Sequence, residues 1–272
     1  MCIRDRLGSI TDAGSSLSPG IYANVPLTNV SSSGSGAEAT VTVTGTTDLT
    51  IGITTAGSGL SDETYTDIPL LNTPDQTFVV TSIANPGTPP PDNVFSIDGT
   101  QQATLSVVEG RIYWFDTSDS SVETHPLAFR DDNENELPST YFDVTQYGAA
   151  GNAGSFTQLV IKPGATDAVT GLTYYCSSHA GMGGTINLTS VGGSTNYGTG
   201  GLATVVVATN AVSTVTVTSG GSGYEQGDSL TFAGVTLGGD GAVLSGGVAL
   251  TVSAATYNGV VTDVTVTDNG TG

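Results

Sequence analysis

Apolar and polar residues alternate with period two along much of this chain. Ala37-Glu38-Ala39-Thr40-Val41-Thr42-Val43-Thr44 does so near the start and Thr214-Val215-Thr216-Val217-Thr218 towards the end, the pattern of half-buried strands. Between Val94 and Thr189, alternation and turn residues predict eight strands: near 94–98, 103–108, 111–116, 125–130, 141–146, 156–162, 172–176 and 184–189. No apolar stripe of useful length recurs at i, i+3, i+4, so no helix beyond about two turns is expected. Nor is there a run of about 18 apolar residues, so no helix is expected to cross a membrane. The pattern predicts an all-β chain.

The strands outside 94–189 belong to repeats. Ile10, Thr11, Ala13, Gly14, Ser15, Leu17, Tyr22, Pro26, Leu27 and Asn29 all return 43 residues later, as Ile53, Thr54, Ala56, Gly57, Ser58, Leu60, Tyr65, Pro69, Leu70 and Asn72. Identities at one constant offset mark a repeat. A shared backbone is expected over 10–29 and 53–72, because Gly14/Gly57 and Pro26/Pro69 have special dihedral ranges. Further on, Thr214–Thr218 runs into Ser219-Gly220-Gly221-Ser222-Gly223-Tyr224, and Val264-Thr265-Val266-Thr267 begins the unit again. Tyr22, Tyr65 and Tyr224 recur at one place in each unit, as packing residues that close a Gly-rich turn. Pro89-Pro90-Pro91 favours a stiff, extended spacer and cannot lie in a central strand. The expected division is a leader at 1–6, Gly/Thr-rich β-repeats at 7–84, a Pro-rich linker at 85–92, a central domain at 93–190 and Gly/Thr/Val-rich β-repeats at 191–272.

Charge narrows the partners. The formal net charge is −20, and beyond position 6 the only basic residues are Arg111, Arg130 and Lys162, all in the central domain. Flanks without a single cation repel phosphate backbones and anionic lipid, so neither nucleic acid nor membrane insertion is expected. Met1-Cys2-Ile3-Arg4-Asp5-Arg6 has no apolar h-region. It resembles a translated sequencing-adapter peptide, so the native N-terminus is expected to be missing. Because the text starts and stops inside a repeat, it reads as a fragment.

The chemistry is concentrated in one short loop. The chain has two Cys, two His and two Met. Setting Met1 and Cys2 aside, Cys176, His179 and Met182 stand within seven residues, and His125 lies 51 positions before Cys176. Thiolate, imidazole and thioether are the donors of a His2Cys copper site with a weak axial Met. A thiol hydrolase fits less well, since it draws Cys and His from separated segments with a third orienting group and gives Met182 no role. One internal Cys forms no internal disulfide. Asp131-Asp132-Asn133-Glu134-Asn135-Glu136 invites a calcium reading, but an EF-hand loop needs Gly at position six and Glu at twelve, where this chain has Glu136 and Phe142. That segment reads as a solvated loop. No phosphate-binding Gly loop precedes a helix, and no enzyme activity is expected.

Taken together, these residues resemble the cupredoxins. Leu172-Thr173-Tyr174-Tyr175-Cys176-Ser177, followed by His179 and Met182, resembles their last-strand ligand loop with amicyanin-like spacing. Thr104–Gly110 and Arg111–Phe115, followed by His125, resemble the approach to the first ligand. The resemblance implies a Greek-key β-sandwich holding one type 1 copper ion through His125, Cys176, His179 and Met182. Two departures stand out: Ser178 replaces a common Pro, and Pro126 replaces a common polar residue. The flanks resemble structural and fibre proteins of marine phages and bacteria. The expected function is therefore a structural or surface protein, a virion fibre or secreted repeat, carrying a copper-binding module. A blue-copper electron-transfer protein is the alternative. Homo-oligomer or fibre assembly is the expected association, in an extracellular, virion or periplasmic setting.

Overall fold

The computed structural model describes residues 20–26, 35–45, 47–56, 60–85, 92–190, 197–226, 228–238, 248–257 and 260–271. The first strands are β1 (Gly20–Pro26), β2 (Ser35–Thr44), β3 (Thr47–Ala56), β4 (Thr64–Pro69), β5 (Leu71–Asn72) and β6 (Gln76–Ala84). The central region holds β7 (Asn93–Ile97), β8 (Thr100–Gln101), β9 (Leu105–Val108), β10 (Arg111–Asp116), β11 (Leu127–Asp131), β12 (Phe142–Tyr147), β13 (Phe156–Ile161), β14 (Leu172–Cys176) and β15 (Gly184–Thr189). Beyond it come β16 (Thr199–Ala208), β17 (Ala211–Ser222), β18 (Ser229–Thr231), β19 (Val248–Tyr257) and β20 (Val260–Thr271). Each of the eight strands expected in the centre is present within a few residues, and β8 is an addition. Among the described residues the only helical pieces are α1 (Ala165–Ala168) and two 3-10 turns, Ser120–Val122 and Gly234–Leu237. None is long and apolar enough to cross a membrane.

Two sheets organise the centre, one in the order β12-β13-β10-β6-β7-β8 and the other β11-β14-β15-β9. Both contribute to one apolar cluster that includes Phe78, Phe95, Tyr113, Phe115, Phe129, Leu159, Leu172, Tyr174 and Ile186. The strand patterns follow from this burial. β11 and β14 alternate buried with half-buried positions, as strands covered mainly on one face do. β10 and β13 are buried almost throughout, Thr157 and Gln158 included, because both of their faces are covered. Tyr113 and Phe115 enter the common core, while Ile112, Trp114, Phe156 and Val160 join a second cluster with Leu71, Tyr197 and Ala233 of the flanks.

That second cluster, and β6, join strands of the flank to the central sheets. β6 precedes the Pro-rich stretch, yet it pairs in parallel with β10 and antiparallel with β7. The Asn85 N–H donates to the Asp92 carbonyl at 2.8 Å. Pro is barred from the interior of a ladder but not from a connection between two paired strands. Residues 86–91 of the Pro-rich stretch lie outside the described residues, while the strand before them pairs with β7 and β10 of the central sheet. Leu105–Val108 and Arg111–Phe115 are two strands joined at a Gly turn. They meet at Gly110, whose φ is 71°, but enter different sheets.

The leader 1–6 lies outside the described residues, as does much of the first repeat copy. Where both copies are described, Gly20–Pro26 and Thr64–Pro69 are strands that end on the matching Pro. The flanking strands form three further sheets, β1-β2-β20, β17-β16-β4 and β3-β19-β18-β5. Tyr224 is fully buried; its hydroxyl donates to the Leu70 carbonyl and accepts from the Gly201 N–H at 3.3 Å. A Cβ at Gly198 or Gly201 would strike its ring, so Gly there lets the backbone approach an aromatic ring.

Candidate metal centre

His125 is placed by a short turn. Asp119 caps the 3-10 turn Ser120–Val122 by accepting from the Ser121 N–H at 2.9 Å, and the His125 N–H then donates to the Val122 carbonyl at 2.9 Å. Pro126 cannot continue that turn, and β11 begins at Leu127. His125 therefore stands just ahead of its strand, where the sequence pattern has it open one. Cys176 is the last residue of β14 and faces Leu127 in register. The Ser177 N–H donates to the Pro126 carbonyl at 3.0 Å, tying the segments that carry Cys176 and His125 together beyond the ladder.

The three donors converge. His125 Nδ1 and His179 Nδ1 are 3.1 Å apart, Cys176 Sγ is 3.5 Å from His179 Nδ1, and it is 3.9 Å from His125 Nδ1. Metal–nitrogen bonds of about 2.0 Å and a metal–sulfur bond of about 2.3 Å, at trigonal angles, would put such nitrogens roughly 3.5 Å apart and the sulfur roughly 3.7 Å from each. The three atoms are thus already spaced to share one ion, and the group can hold a metal. Cys176 and His125 are buried, while His179 is exposed. Met182, 1% exposed, lies beside them. With His125, His179, Asp92 and Asn93 it lines an open cavity of about 560 Å³.

Burial holds the His125 pKa below its usual value, and the neighbouring His179 imidazole adds to the effect. Both causes favour a neutral ring, the form that donates a lone pair to a metal.

The loop that carries His179 and Met182 is fixed through its backbone. The carbonyls of Gly181, Met182 and Gly183 are all occupied. Gln102 Nε2 donates to Gly181 and to Gly183, each at 2.8 Å, and the Phe95 N–H donates to Met182 at 2.9 Å. Gly181 has a φ of 79°, and a Cβ on Gly183 would collide with the Tyr174 carbonyl. Tyr174 itself donates through its hydroxyl to the Ala103 carbonyl at 2.8 Å. Gln102 was not singled out in the sequence. Nothing in the local pattern marks it, because its partners lie 79 and 81 positions away.

The other sequence candidates resolve locally. Asp131 accepts from the N–H groups of Asn133 and Asn135 and from Asn135 Nδ2, closing its loop on itself. The three bases of the central region are each paired, Arg111 with Asp75, Arg130 with Glu134 and Lys162 with Asp143. The Arg130 guanidinium also lies over the Tyr175 ring, 4.5 Å from its centroid.

Comparison of the chain with protein-family models, with curated proteins and with solved structures finds no match.

Proposed function

We propose that this chain is a structural or surface protein, a virion fibre or secreted repeat protein, carrying a copper-binding cupredoxin-like module over residues 93–190. One observation carries the metal part: donors from Cys176, His125 and His179, drawn from separate segments, meet at 3.1–3.9 Å. The donor set favours copper over zinc. Two imidazoles and a thiolate with a neighbouring thioether suit a trigonal copper site, whereas a structural zinc site normally closes with a fourth Cys, His or carboxylate. His125, Cys176 and His179 would hold one type 1 ion, with Met182 as its weak axial donor. A bound copper ion would supply one-electron redox chemistry. The chain buries Cys176 and most of His125 and leaves His179 exposed, with both imidazoles lining the open cavity.

The cupredoxin-like sandwich is supported by the single core shared by the two central sheets, and by ligands gathered where β14 turns into β15. The structural role is supported by the flanks, which build three more sheets and cover the outer face of β10 and β13. An electron carrier needs only the module. The exposure of His179 nonetheless favours electron transfer as the second reading, because an exposed ligand edge gives electrons a short route out.

Native mass spectrometry of the whole chain after exposure to Cu(II) and removal of excess ion tests the metal part. One copper per chain, absent from Cys176→Ser, is expected. Zinc retained in preference to copper, or equal copper retention by Cys176→Ser, would contradict it.

A further inference from the structure

Three segments of this chain share one plan: a ten-residue strand, two connecting residues and a second strand of ten or twelve. They are β2–β3 across Gly45-Thr46, β16–β17 across Thr209-Asn210, and β19–β20 across Asn258-Gly259. Among the described residues only β16–β17 closes on itself. Ala208 faces Ala211, and Thr209 and Asn210 are left-handed, with φ of 55° and 61°. The other two segments trade strands. β2 pairs with β20 and β3 with β19. The register is the same on either side of the joint, with Thr44 facing Val260 and Thr47 facing Tyr257.

Turn chemistry favours the opposite outcome. Asn-Gly adopts the two left-handed positions of a tight hairpin turn most readily, while a β-branched residue such as Thr resists them. Yet Thr209-Asn210 makes its hairpin, and Asn258-Gly259 joins two strands whose partners are elsewhere. Closed and traded forms of the two segments would use the same strands in ladders of similar length. Exchange of an identical element between copies is a low-cost route to association under that condition.

We propose that residues 35–56 and 248–271 form an exchange module through which copies of this chain join, the first segment of one copy pairing with the second segment of the next. The two segments differ and lie far apart in the sequence, so every joint leaves one of each unpaired at the ends of the assembly. Such a contact is heterologous, and it extends into a filament unless its rotation closes a ring. The proposal rests on the assembly reading above and adds the partner, a second copy, and the strands that meet.

Val41 faces Val264, and Ala39 faces Val266. Facing Cα atoms in antiparallel pairs lie about 4.5–5.5 Å apart, within disulfide reach. The test uses the full chain with Cys2→Ser as background. Val41→Cys chains are mixed with Val264→Cys chains, oxidised over a range of concentrations and run without reductant. A mixed disulfide whose yield rises with concentration is expected, and it should be absent when Val41→Cys is mixed with Val215→Cys. Ala39→Cys with Val266→Cys gives an independent second pair. A 41–264 disulfide confined to single chains of the double variant, with no mixed product at any concentration, overturns the exchange. Light scattering on the unsubstituted chain separates the two ideas. Multimers without the mixed disulfide overturn the exchange and leave assembly standing, whereas monomers at every concentration overturn both.

Discussion

The backbone at Gly183 lies so close to the Tyr174 carbonyl that a Cβ would occupy the place of its oxygen. Tyr174 and Gly184 face each other in register across β14 and β15, so the strand carrying Cys176 and the loop carrying Met182 are pressed together at this point. Gly183→Ala should therefore push the ligand loop away from β14. We expect a stability loss of about 2 kcal/mol, in the range of overpacked sites, with weaker metal binding. A thermal melt of the metal-free chain and a metal titration check the two parts separately.

Gln102 is exposed, but its amide is the clasp of the ligand loop. Gln102→Ala should cost less than about 1 kcal/mol, because exposed hydrogen bonds are largely replaced by water. Metal affinity should fall more clearly, by about tenfold, as it does when groups that orient ligands are removed. Gln102→Glu keeps the length but sets a carboxylate against two carbonyls, so it should be worse than Ala. Calorimetric metal titration of both variants against the parent chain would show the order.

The pH dependence has a defined sign. The folded chain holds the His125 pKa below its ordinary value, so the unfolded chain takes up a proton first as pH falls. The stability this group contributes is complete above about pH 6.5, the unfolded His value. It declines as pH drops from there through the folded pKa. Metal affinity should weaken over the same range, because protons and metal compete for the same lone pair. Denaturant melts of the metal-free chain between pH 5 and 8 check this, and His125→Gln should flatten the profile.

Much of the fold was legible because strand burial leaves a period-two trace. Leu127, Phe129, Leu172 and Tyr174 alternate with less buried neighbours as expected. The strands at Ile112–Phe115 and Phe156–Ile161 were also found, although the sequence alone did not show what covers both of their faces. The candidate metal group was legible in part because a chain so poor in Cys, His and Met cannot easily place Cys176, His179 and Met182 together by accident. Long-range partnership was not legible. The parallel pairing of Phe78 with Phe115, the clasp of Gln102 on Gly181 and Gly183, and the pairing of Val41 with Val264 join residues whose local patterns say nothing of one another.

The proposal that Met182 is an axial donor has its own test. Met182 is buried beside the ligand group, so Met182→Leu should leave the fold intact at a cost below about 1.5 kcal/mol, as volume-conserving swaps do. It should keep the visible band of a copper-loaded sample and raise its reduction potential, because a weak axial sulfur donor is removed. Voltammetry of the two copper-loaded chains checks the direction. A lower potential, or loss of the band, would remove Met182 from the ligand set.

The optical spectrum of the whole chain titrated with Cu(II) tests the metal reading most directly. Thiolate bound to Cu(II) in a His2Cys site gives an intense blue charge-transfer band. Here it should grow to one equivalent and vanish in Cys176→Ser, and His125→Ala and His179→Ala should each abolish or strongly alter it. A chain that stays colourless at one equivalent of Cu(II), or a band that survives Cys176→Ser, would contradict a copper site at His125, Cys176 and His179.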